Sequence, residues 1–214
     1  SNYPVATYSG MLPGVLSGQY PIERMQIDLV RLCAAARARL IIGQVTGLDR
    51  TNQRLLFAHR PALPFDVLSI GIGSVTSVRG VEASDESLLA IKPMQTFLGR
   101  LTNRLEAWKV TNTAKPLRVV VVGAGAGGVE ITLCLPRRLE KLLNNIPLDL
   151  TLVSATKGLA DGTTRKTQER LRQQFASRGI HVRFGKRVKK VVEGTVILED
   201  GDQLAADIVL WATS

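Results

Sequence analysis

Four glycines in one short stretch are the residues of this chain whose spacing best suits chemistry. Gly123, Gly125 and Gly128 follow the spacing G-x-G-x-x-G, and Gly127 lies between them. In this pattern the first glycine permits a tight turn, the second lets the backbone approach a diphosphate, and the third lets a helix pack against the preceding strand. The helix N-terminus then presents N–H groups and a positive dipole end to phosphate oxygens. The pattern predicts a dinucleotide site; the alternative is a glycine-rich turn in an α/β domain without a ligand.

The glycines lie between the elements that such a site requires. Residues 117–122 are Leu-Arg followed by four valines, and this mostly β-branched run is typical of a strand buried on both faces of a parallel sheet. An amphipathic segment follows, and a second apolar run occupies residues 148–153. Pro136 lies inside the amphipathic segment and predicts a kink or a break before Arg137. We expect strand, helix and strand to form one nucleotide-binding βαβ unit.

The end of the second strand bears on which nicotinamide dinucleotide would fit. In NAD-binding units an Asp or Glu at this place holds the ribose 2′-hydroxyl. This chain instead has Ser154 and Lys157 there, and a hydroxyl with a lysine suits a 2′-phosphate. NADH and NADPH therefore both remain candidates. The alternative is that Ser154 merely ends the strand and that Lys157 is solvated.

Composition narrows the classes of protein to which the chain can belong. Its 214 residues, 45% of them hydrophobic, can bury one large core or two small ones. No apolar run reaches the roughly 20 residues of a membrane span, and the N-terminus lacks the build of a secretory signal, so we expect a soluble, cytoplasmic protein. Cys33 and Cys134 form no C-x-x-C pair and are expected to be buried free thiols. No metal site is predicted.

The formal net charge of +10 is concentrated in the C-terminal half. Such a charge favours polyanions, which include dinucleotides, anionic membrane surfaces and nucleic acids. Nucleic-acid binding has little support, because aromatic residues are only 5% of the chain and no stacking motif is interleaved with the charges. For most of these basic residues a solvated helix face is the simpler interpretation.

The remaining segments predict a series of short elements. In the N-terminal part these are a turn-rich loop at 8–14, a helix at 29–37 capped by Asp28, strands at 40–48 and 54–58 that form a hairpin, and an apolar strand at 65–74 that ends in small residues. Further on they are a helix opened by Pro93, a linker at 112–116, a helix at 165–178, and strands around Val182 and at 188–192, 195–198 and 208–211.

Two ordered motifs resemble those of the pyridine nucleotide-disulfide oxidoreductase superfamily of flavoproteins. Phe65-Asp66 through Gly73-Ser74 is similar to the superfamily motif Tyr/Phe-Asp-x-Leu-x-Ile-Ala-Thr-Gly-Ser, with Gly71-Ile72 in place of Ala-Thr. A linker helix and the motif G-x-G-x-x-G-x-E, from Gly123 to Glu130, follow in the superfamily's order. The type II NADH dehydrogenase-like branch is the most similar. Residues 8–14 and 27–29 particularly resemble the NADH dehydrogenase-like half that is fused to selenide, water dikinase in some bacteria.

The resemblance implies an α/β fold with two dinucleotide-binding domains. A Rossmann-like parallel-sheet NAD(P) domain, residues 113–214, would be inserted in an incomplete FAD domain that includes the linker helix, residues 1–112. The implied cofactors are FAD and NAD(P)H. By the resemblance, Val45 would lie near the FAD adenine, and Gly73 and Ser74 would face the flavin cofactor. Glu130 would lie near the nicotinamide end of NAD(P)H, and Thr213 would belong to a second strand end of the Ala-Thr-Gly type. The superfamily's N-terminal FAD fingerprint is not in this sequence, so we expect a fragment of a longer enzyme that is inactive alone.

By the same resemblance, the parent enzyme would pass a hydride from NAD(P)H to FAD and on to a small-molecule acceptor. The cofactors would carry the chemistry, so no catalytic side chain is predicted. Residues 8–14 contain no cysteine, which favours a quinone or another non-disulfide acceptor. The alternative is a non-catalytic NAD(P)H-sensing module of a fused enzyme such as selenide, water dikinase. Association with a membrane surface, at the periphery of the inner membrane, a fused kinase domain and a homodimer all stay open.

Overall fold

A computed structural model describes residues 1–84, 86–111, 115–143 and 146–213 of the chain. Two compact units are found in it. One unit contains residues 1–8 and 22–74, and the other contains residues 9–21 and the described residues from 75 onward. The candidate site lies in the second unit.

The described residues contain five α-helices and fourteen strands. The helices are α1 (Leu12–Leu16), α2 (Leu29–Ala35), α3 (Met94–Thr111), α4 (Ala126–Leu143) and α5 (Arg165–Ser177). The strands are β1 (Val5–Thr7), β2 (Gln26–Asp28), β3 (Val45–Asp49), β4 (Arg54–Phe57), β5 (Leu63–Pro64), β6 (Glu82–Ala83), β7 (Leu89–Ala90), β8 (Leu117–Val122), β9 (Leu148–Val153), β10 (His181–Arg183), β11 (Val188–Val192), β12 (Thr195–Leu198), β13 (Gln203–Ala205) and β14 (Ile208–Trp211).

The second unit is built around a five-stranded parallel sheet in the order β10-β9-β8-β14-β7. Its central strand β8 has five of six residues buried, as its β-branched run predicts for a strand covered on both faces. Helix α4 connects β8 to its parallel neighbour β9, which is the crossover that such a pair requires. The predicted Rossmann-like α/β fold class is confirmed.

A second sheet of the same unit, in the order β13-β12-β11-β6, packs against the central one. The core between them contains Val120 and Val122 of β8, Trp211 of β14, and Val191 and Val196 of the second sheet, all at most 6% exposed. Because β8 is buried in this core, its carboxyl end, where the glycine loop begins, is held in place.

An ion pair joins β8 to β14 at their amino ends. The Asp207 carboxylate accepts hydrogen bonds from the Arg118 backbone N–H at 2.8 Å and from its Nε and Nη2 at 3.0 and 2.6 Å. Burial opposes ionisation of this carboxyl, but the hydrogen bonds and charge of Arg118 outweigh it and lower the pKa of Asp207. The same contact raises the pKa of Arg118.

The first unit contains two small antiparallel sheets. Strands β1 and β2 form one, and β3, β4 and β5 form the other, with a register shift between Val45 and Gly47. Asp28 caps α2 as predicted, because its Oδ1 accepts the N–H groups of Val30 and Arg31 at 2.9 and 3.0 Å.

Some predicted elements differ from those observed. The strand expected at 65–74 does not form, and its Val67, Ile70 and Ile72 are exposed to 90%, 64% and 88%. The loop expected at 8–14 is largely helical, because α1 buries Leu12 and packs against α4. The break expected at Pro136 is absent, since α4 continues to Leu143. Most of the predicted linker, residues 112–114, lies outside the described residues.

Candidate functional site

The glycine-rich loop lies at the edge of the parallel sheet where ligands of open α/β folds bind. From β8 the chain builds β9 and β10 on one side, and β14 lies on the other, so the strand order reverses between β8 and β14. A crevice opens outside the carboxyl ends of strands at such a switch point. Gly123 follows β8 and lies against the end of β14: a Cβ on Gly123 would be 3.0 Å from the Ala212 carbonyl carbon.

Gly123 and Gly128 are required by the backbone itself. Gly123 has a φ of +110°, which side chains rarely tolerate. A Cβ on Gly128 would lie 1.9 Å from the carbonyl oxygen of Gly123, so only glycine allows α4 to approach the end of β8 this closely. The turn and packing roles predicted for these two glycines are both present.

Gly125 and Gly127 face open space instead. A Cβ on either would have no other atom within 4 Å among the described residues, and both glycines are exposed. The backbone beside them is therefore accessible to a ligand. Helix α4 begins at Ala126, and by helix geometry the N–H groups before Val129, which donates to the Gly125 carbonyl at 3.0 Å, have no intrahelical acceptor. These features fit a diphosphate that approaches the backbone and the positive end of the helix.

Three backbone hydrogen bonds hold the surroundings of the loop. The Gly123 N–H donates to the Val153 carbonyl of β9 at 2.9 Å, and the Ala212 N–H donates to the Val122 carbonyl at 2.8 Å. The Ala160 N–H donates to the Ala124 carbonyl at 2.7 Å, which attaches the segment after β9 to the glycine loop. These bonds fix the loop backbone at Gly123 and Ala124, so the loop needs no rearrangement to receive a phosphate.

Ser154, predicted as a ribose contact, is buried at the end of β9 and is 3% exposed. Its hydroxyl is 2.9 Å from the Thr156 hydroxyl and accepts the Thr156 N–H at 3.1 Å. Lys157 is exposed. The structure therefore gives Ser154 a local turn-forming role, and its contact with a cofactor stays a prediction.

Arg172 contacts Lys157, and Phe184 lies beside Arg172; neither contact was found from the sequence. Arg172 of α5 places Nη2 at 3.5 Å from the Lys157 carbonyl oxygen. The guanidinium carbon of Arg172 also lies 5.7 Å from the centroid of the Phe184 ring. Arg172 belongs to α5 and Phe184 follows β10, so no local spacing could have indicated either contact.

Glu130 and Thr213, which were predicted near the cofactor, lie on different segments beside the glycine loop. Glu130 is exposed in the second turn of α4. Thr213 follows β14, and its hydroxyl donates to the Ser77 carbonyl at 2.7 Å. The Trp211 indole donates to the same carbonyl at 2.8 Å, so this strand end is held by residues of the second unit.

The predicted flavin neighbours Val45, Gly73 and Ser74 belong to the first unit. Val45 begins β3 and is 45% exposed. Gly73 has a φ of +70°, and a Cβ there would meet no atom within 4 Å among the described residues. Their roles stay predictions.

Cys134 is a half-buried thiol of α4. Burial, with a smaller contribution from the charge of Glu130, raises the pKa of this thiol. At neutral pH it is therefore protonated and a poor nucleophile. Among the residues that the structure describes, no group of three or more His, Cys, Asp or Glu side chains could hold a metal ion, and no helix is both long and apolar enough to cross a membrane.

Comparison with known proteins agrees with the superfamily that the two sequence motifs resemble. A family model described as pyridine nucleotide-disulphide oxidoreductase matches residues 10–213. An NADH dehydrogenase-like protein of Mycobacterium tuberculosis is 30% identical over 196 residues, which cover 89% of this chain and 48% of that protein. The type II NADH:quinone oxidoreductase of Haemophilus influenzae is 26% identical over 183 residues, which cover 74% of this chain and 41% of that protein.

Solved structures share the fold. NDH2 from Plasmodium falciparum, in complex with NADH, superposes with a TM-score of 0.82 at 16% identity, and the match covers 100% of this chain and 49% of that one. The chain thus spans less than half the length of these relatives.

Proposed function

The chain belongs to the pyridine nucleotide-disulphide oxidoreductase family, and we propose that it is part of a flavin-dependent NAD(P)H oxidoreductase of the NADH dehydrogenase-like kind. The observation that carries the proposal is the glycine loop at the switch point of the parallel sheet, with open space beside Gly125 and Gly127. The family match and the two NADH dehydrogenase-type relatives support the same reaction class.

In this proposal the chain's residues bind and orient NAD(P)H. The backbone of Gly125 and Gly127 and the N-terminus of α4 hold the diphosphate, and Glu130 and Thr213 lie toward the nicotinamide. In the whole protein, Val45, Gly73 and Ser74 contribute to the FAD site. When bound, the nicotinamide supplies a hydride and the flavin accepts it. The protein fixes their positions and excludes water from the contact.

The proposed acceptor is a quinone or another small molecule that is not a disulfide. Cys33 and Cys134 are the two cysteines of the chain, they form no disulfide, and Cys134 is a protonated thiol at neutral pH. The name of the Haemophilus relative states a quinone acceptor for that protein. We place the whole protein in the cytoplasm, at the periphery of the inner membrane, where a quinone is reached.

A second candidate is a non-catalytic NAD(P)H-sensing module, as in a fusion to selenide, water dikinase or in a homodimer. The observation that favours it is the difference between the two units. The second unit has a parallel sheet with a glycine loop, whereas the described residues of the first unit form only a two-stranded and a three-stranded antiparallel sheet. Such a chain would bind a nicotinamide dinucleotide without transferring its hydride.

Equilibrium titration with NADH and with NADPH tests the proposal. We expect binding by the chain and about 10-fold or greater weakening in Gly125→Ala, because the added methyl group occupies the space that the diphosphate needs. Gly99→Ala is the matched control, since its Cβ also meets open space but on α3, a different helix from the one that begins at the loop. Equal binding by the wild type and Gly125→Ala would contradict the site.

A diaphorase assay with added FAD then separates the two candidates. Reduction of an artificial acceptor by the chain or its full-length form supports the oxidoreductase. Nucleotide binding without turnover in the full-length form supports the sensing module.

A further inference from the structure

The end of β9 lacks the acidic group that recognises an unmodified ribose. Ser154 stands where that group is expected, and its hydroxyl is already bonded within the turn to Thr156. The carboxylate of this segment belongs to Asp161, which folds back over Gly158: its Oδ1 would be 2.2 Å from a Cβ on that glycine.

Cations gather at this strand end instead. Lys157 is exposed, and Arg172 is brought to it by the 3.5 Å contact with its carbonyl. Arg183 is paired in register with Val153, and its carbonyl accepts the Ser154 N–H at 2.9 Å. Within the described part of the chain, these three cations form no ion pair with a carboxylate.

Two other cations that are close in sequence to this group are neutralised by carboxylates. Lys186 pairs with Asp200 and Asp202, and Arg165 pairs with Glu169 at 2.9 Å. Lys157, Arg172 and Arg183 thus keep their charges free of any carboxylate that the structure describes at the end of β9, whereas these two cations do not. An unneutralised group of this kind attracts a dianion.

The segment that carries Lys157 is fixed relative to the glycine loop. The Ala160 N–H donates to the Ala124 carbonyl, and the Gly185 N–H donates to the Thr156 carbonyl at 3.0 Å. The Phe184 ring beside Arg172 restricts the guanidinium further. The cations and the diphosphate cradle consequently share one edge of the sheet.

We propose that this site prefers NADPH to NADH and that Lys157 and Arg172 bind the 2′-phosphate, with Arg183 adding to the local positive field. The inference rests on the proposed dinucleotide function and names its cofactor. A phosphate monoester carries close to two negative charges at neutral pH and accepts several strong hydrogen bonds. The planar guanidinium of Arg172 can meet two of its oxygens at once, and the ammonium of Lys157 can act as a point charge.

The test is a calorimetric titration of the full chain with NADPH, NADH, adenosine 2′,5′-bisphosphate and 5′-AMP. We expect NADPH to bind about 10-fold or more tightly than NADH, and the bisphosphate to exceed 5′-AMP by a similar factor, because charge-assisted hydrogen bonds are gained. Lys157→Ala and Arg172→Ala should each remove most of this preference and leave NADH affinity within about 2-fold. Arg165→Ala is the control for lost charge on the same helix, and it should keep the preference.

The outcomes separate the inference from the proposed function. Equal affinity for the two coenzymes, or a preference for NADH that Asp161→Asn removes, would overturn the NADPH assignment and leave the dinucleotide site in place. Failure of all four probes to bind the folded chain, checked by circular dichroism, would overturn both.

Discussion

Gly128 performs a packing role that can be separated from the ligand-facing role of Gly125. In Gly128→Ala the new Cβ would meet the Gly123 carbonyl oxygen at 1.9 Å, and a backbone atom cannot move aside as a flexible side chain can. We expect the free energy of unfolding to fall by about 1–3 kcal/mol, the range typical of overpacking. Urea denaturation followed by tryptophan fluorescence measures this change.

The same denaturation experiment on Gly99→Ala provides the comparison. This glycine lies within α3 in open space, and alanine is favoured over glycine in helices by about 1 kcal/mol, so stability should stay equal or rise. A Gly128→Ala variant as stable as the wild type would show that α4 does not pack against β8 as described.

Asp207 gives the fold a dependence on pH. Because its pKa is lower in the folded state than in the unfolded chain, its stabilisation is complete above about pH 4 and is lost as the pH falls through the folded-state pKa. Asp207→Asn should therefore lower the free energy of unfolding by about 1–3 kcal/mol at pH 7, and the difference from wild type should shrink below about pH 4.

Denaturation at a series of pH values tests the role of Asp207. Asp200→Asn serves as the control, because Asp200 is exposed and its pairing with Lys186 is screened by water, so little change is expected. Parallel stability curves for wild type and Asp207→Asn from neutral to acidic pH would contradict the assigned role of the carboxylate.

Helix α4 continues through Pro136, which has no N–H to donate to the carbonyl of Thr132. Upstream, the Thr132 hydroxyl donates to the Gly128 carbonyl at 2.6 Å, so the first turns of α4 are held by a side chain as well as by the backbone. Pro136→Ala should restore the missing hydrogen bond and raise the free energy of unfolding by about 1–3 kcal/mol.

A thermal melt of Pro136→Ala beside Arg137→Ala measures the effect. Arg137 has 66% of its side chain exposed, and its loss should change the melting temperature little. A lower melting temperature for Pro136→Ala would mean that the pyrrolidine ring contributes more by packing than it costs in hydrogen bonding.

The elements that the sequence predicts well are those whose cause is local. The run of valines in β8, the glycine spacing and the Asp28 cap each specify their structure within a few residues, and all are observed. The strand expected at 65–74 was wrong because apolar composition alone does not form a strand without a neighbour to pair with. Strands β6 and β7 are two residues long and exist through pairing with β11 and β14, which no local pattern indicates.

In the candidate site, too, the features with a local cause were predicted and those that depend on distant contacts were not. The turn and packing roles of Gly123 and Gly128 follow from their spacing. The engagement of the Ser154 hydroxyl by Thr156, and the approach of Arg172 to Lys157, depend on how a turn closes and where α5 docks. Neither could be read from residue order.

The whole molecule combines a net charge of +10 with an exposed apolar segment, so its association state should depend on salt. Ile70 and Ile72 are 64% and 88% exposed, and contiguous exposed apolar surface promotes association. Like charge opposes that association at low ionic strength, and screening weakens the repulsion as salt is added. We expect light scattering by the wild type to rise with sodium chloride and to rise much less in Ile70→Ser/Ile72→Ser.

The double variant should also keep its stability, because side chains that are already exposed contribute little to the folded state. We expect its free energy of unfolding to stay within about 0.5 kcal/mol of wild type. Val120→Ser is the matched control, since Val120 is 2% exposed in β8 and its loss should cost about 1–3 kcal/mol. A large loss of stability in Ile70→Ser/Ile72→Ser would show that these side chains are buried in the folded chain, and salt-independent scattering would show that they do not drive its association.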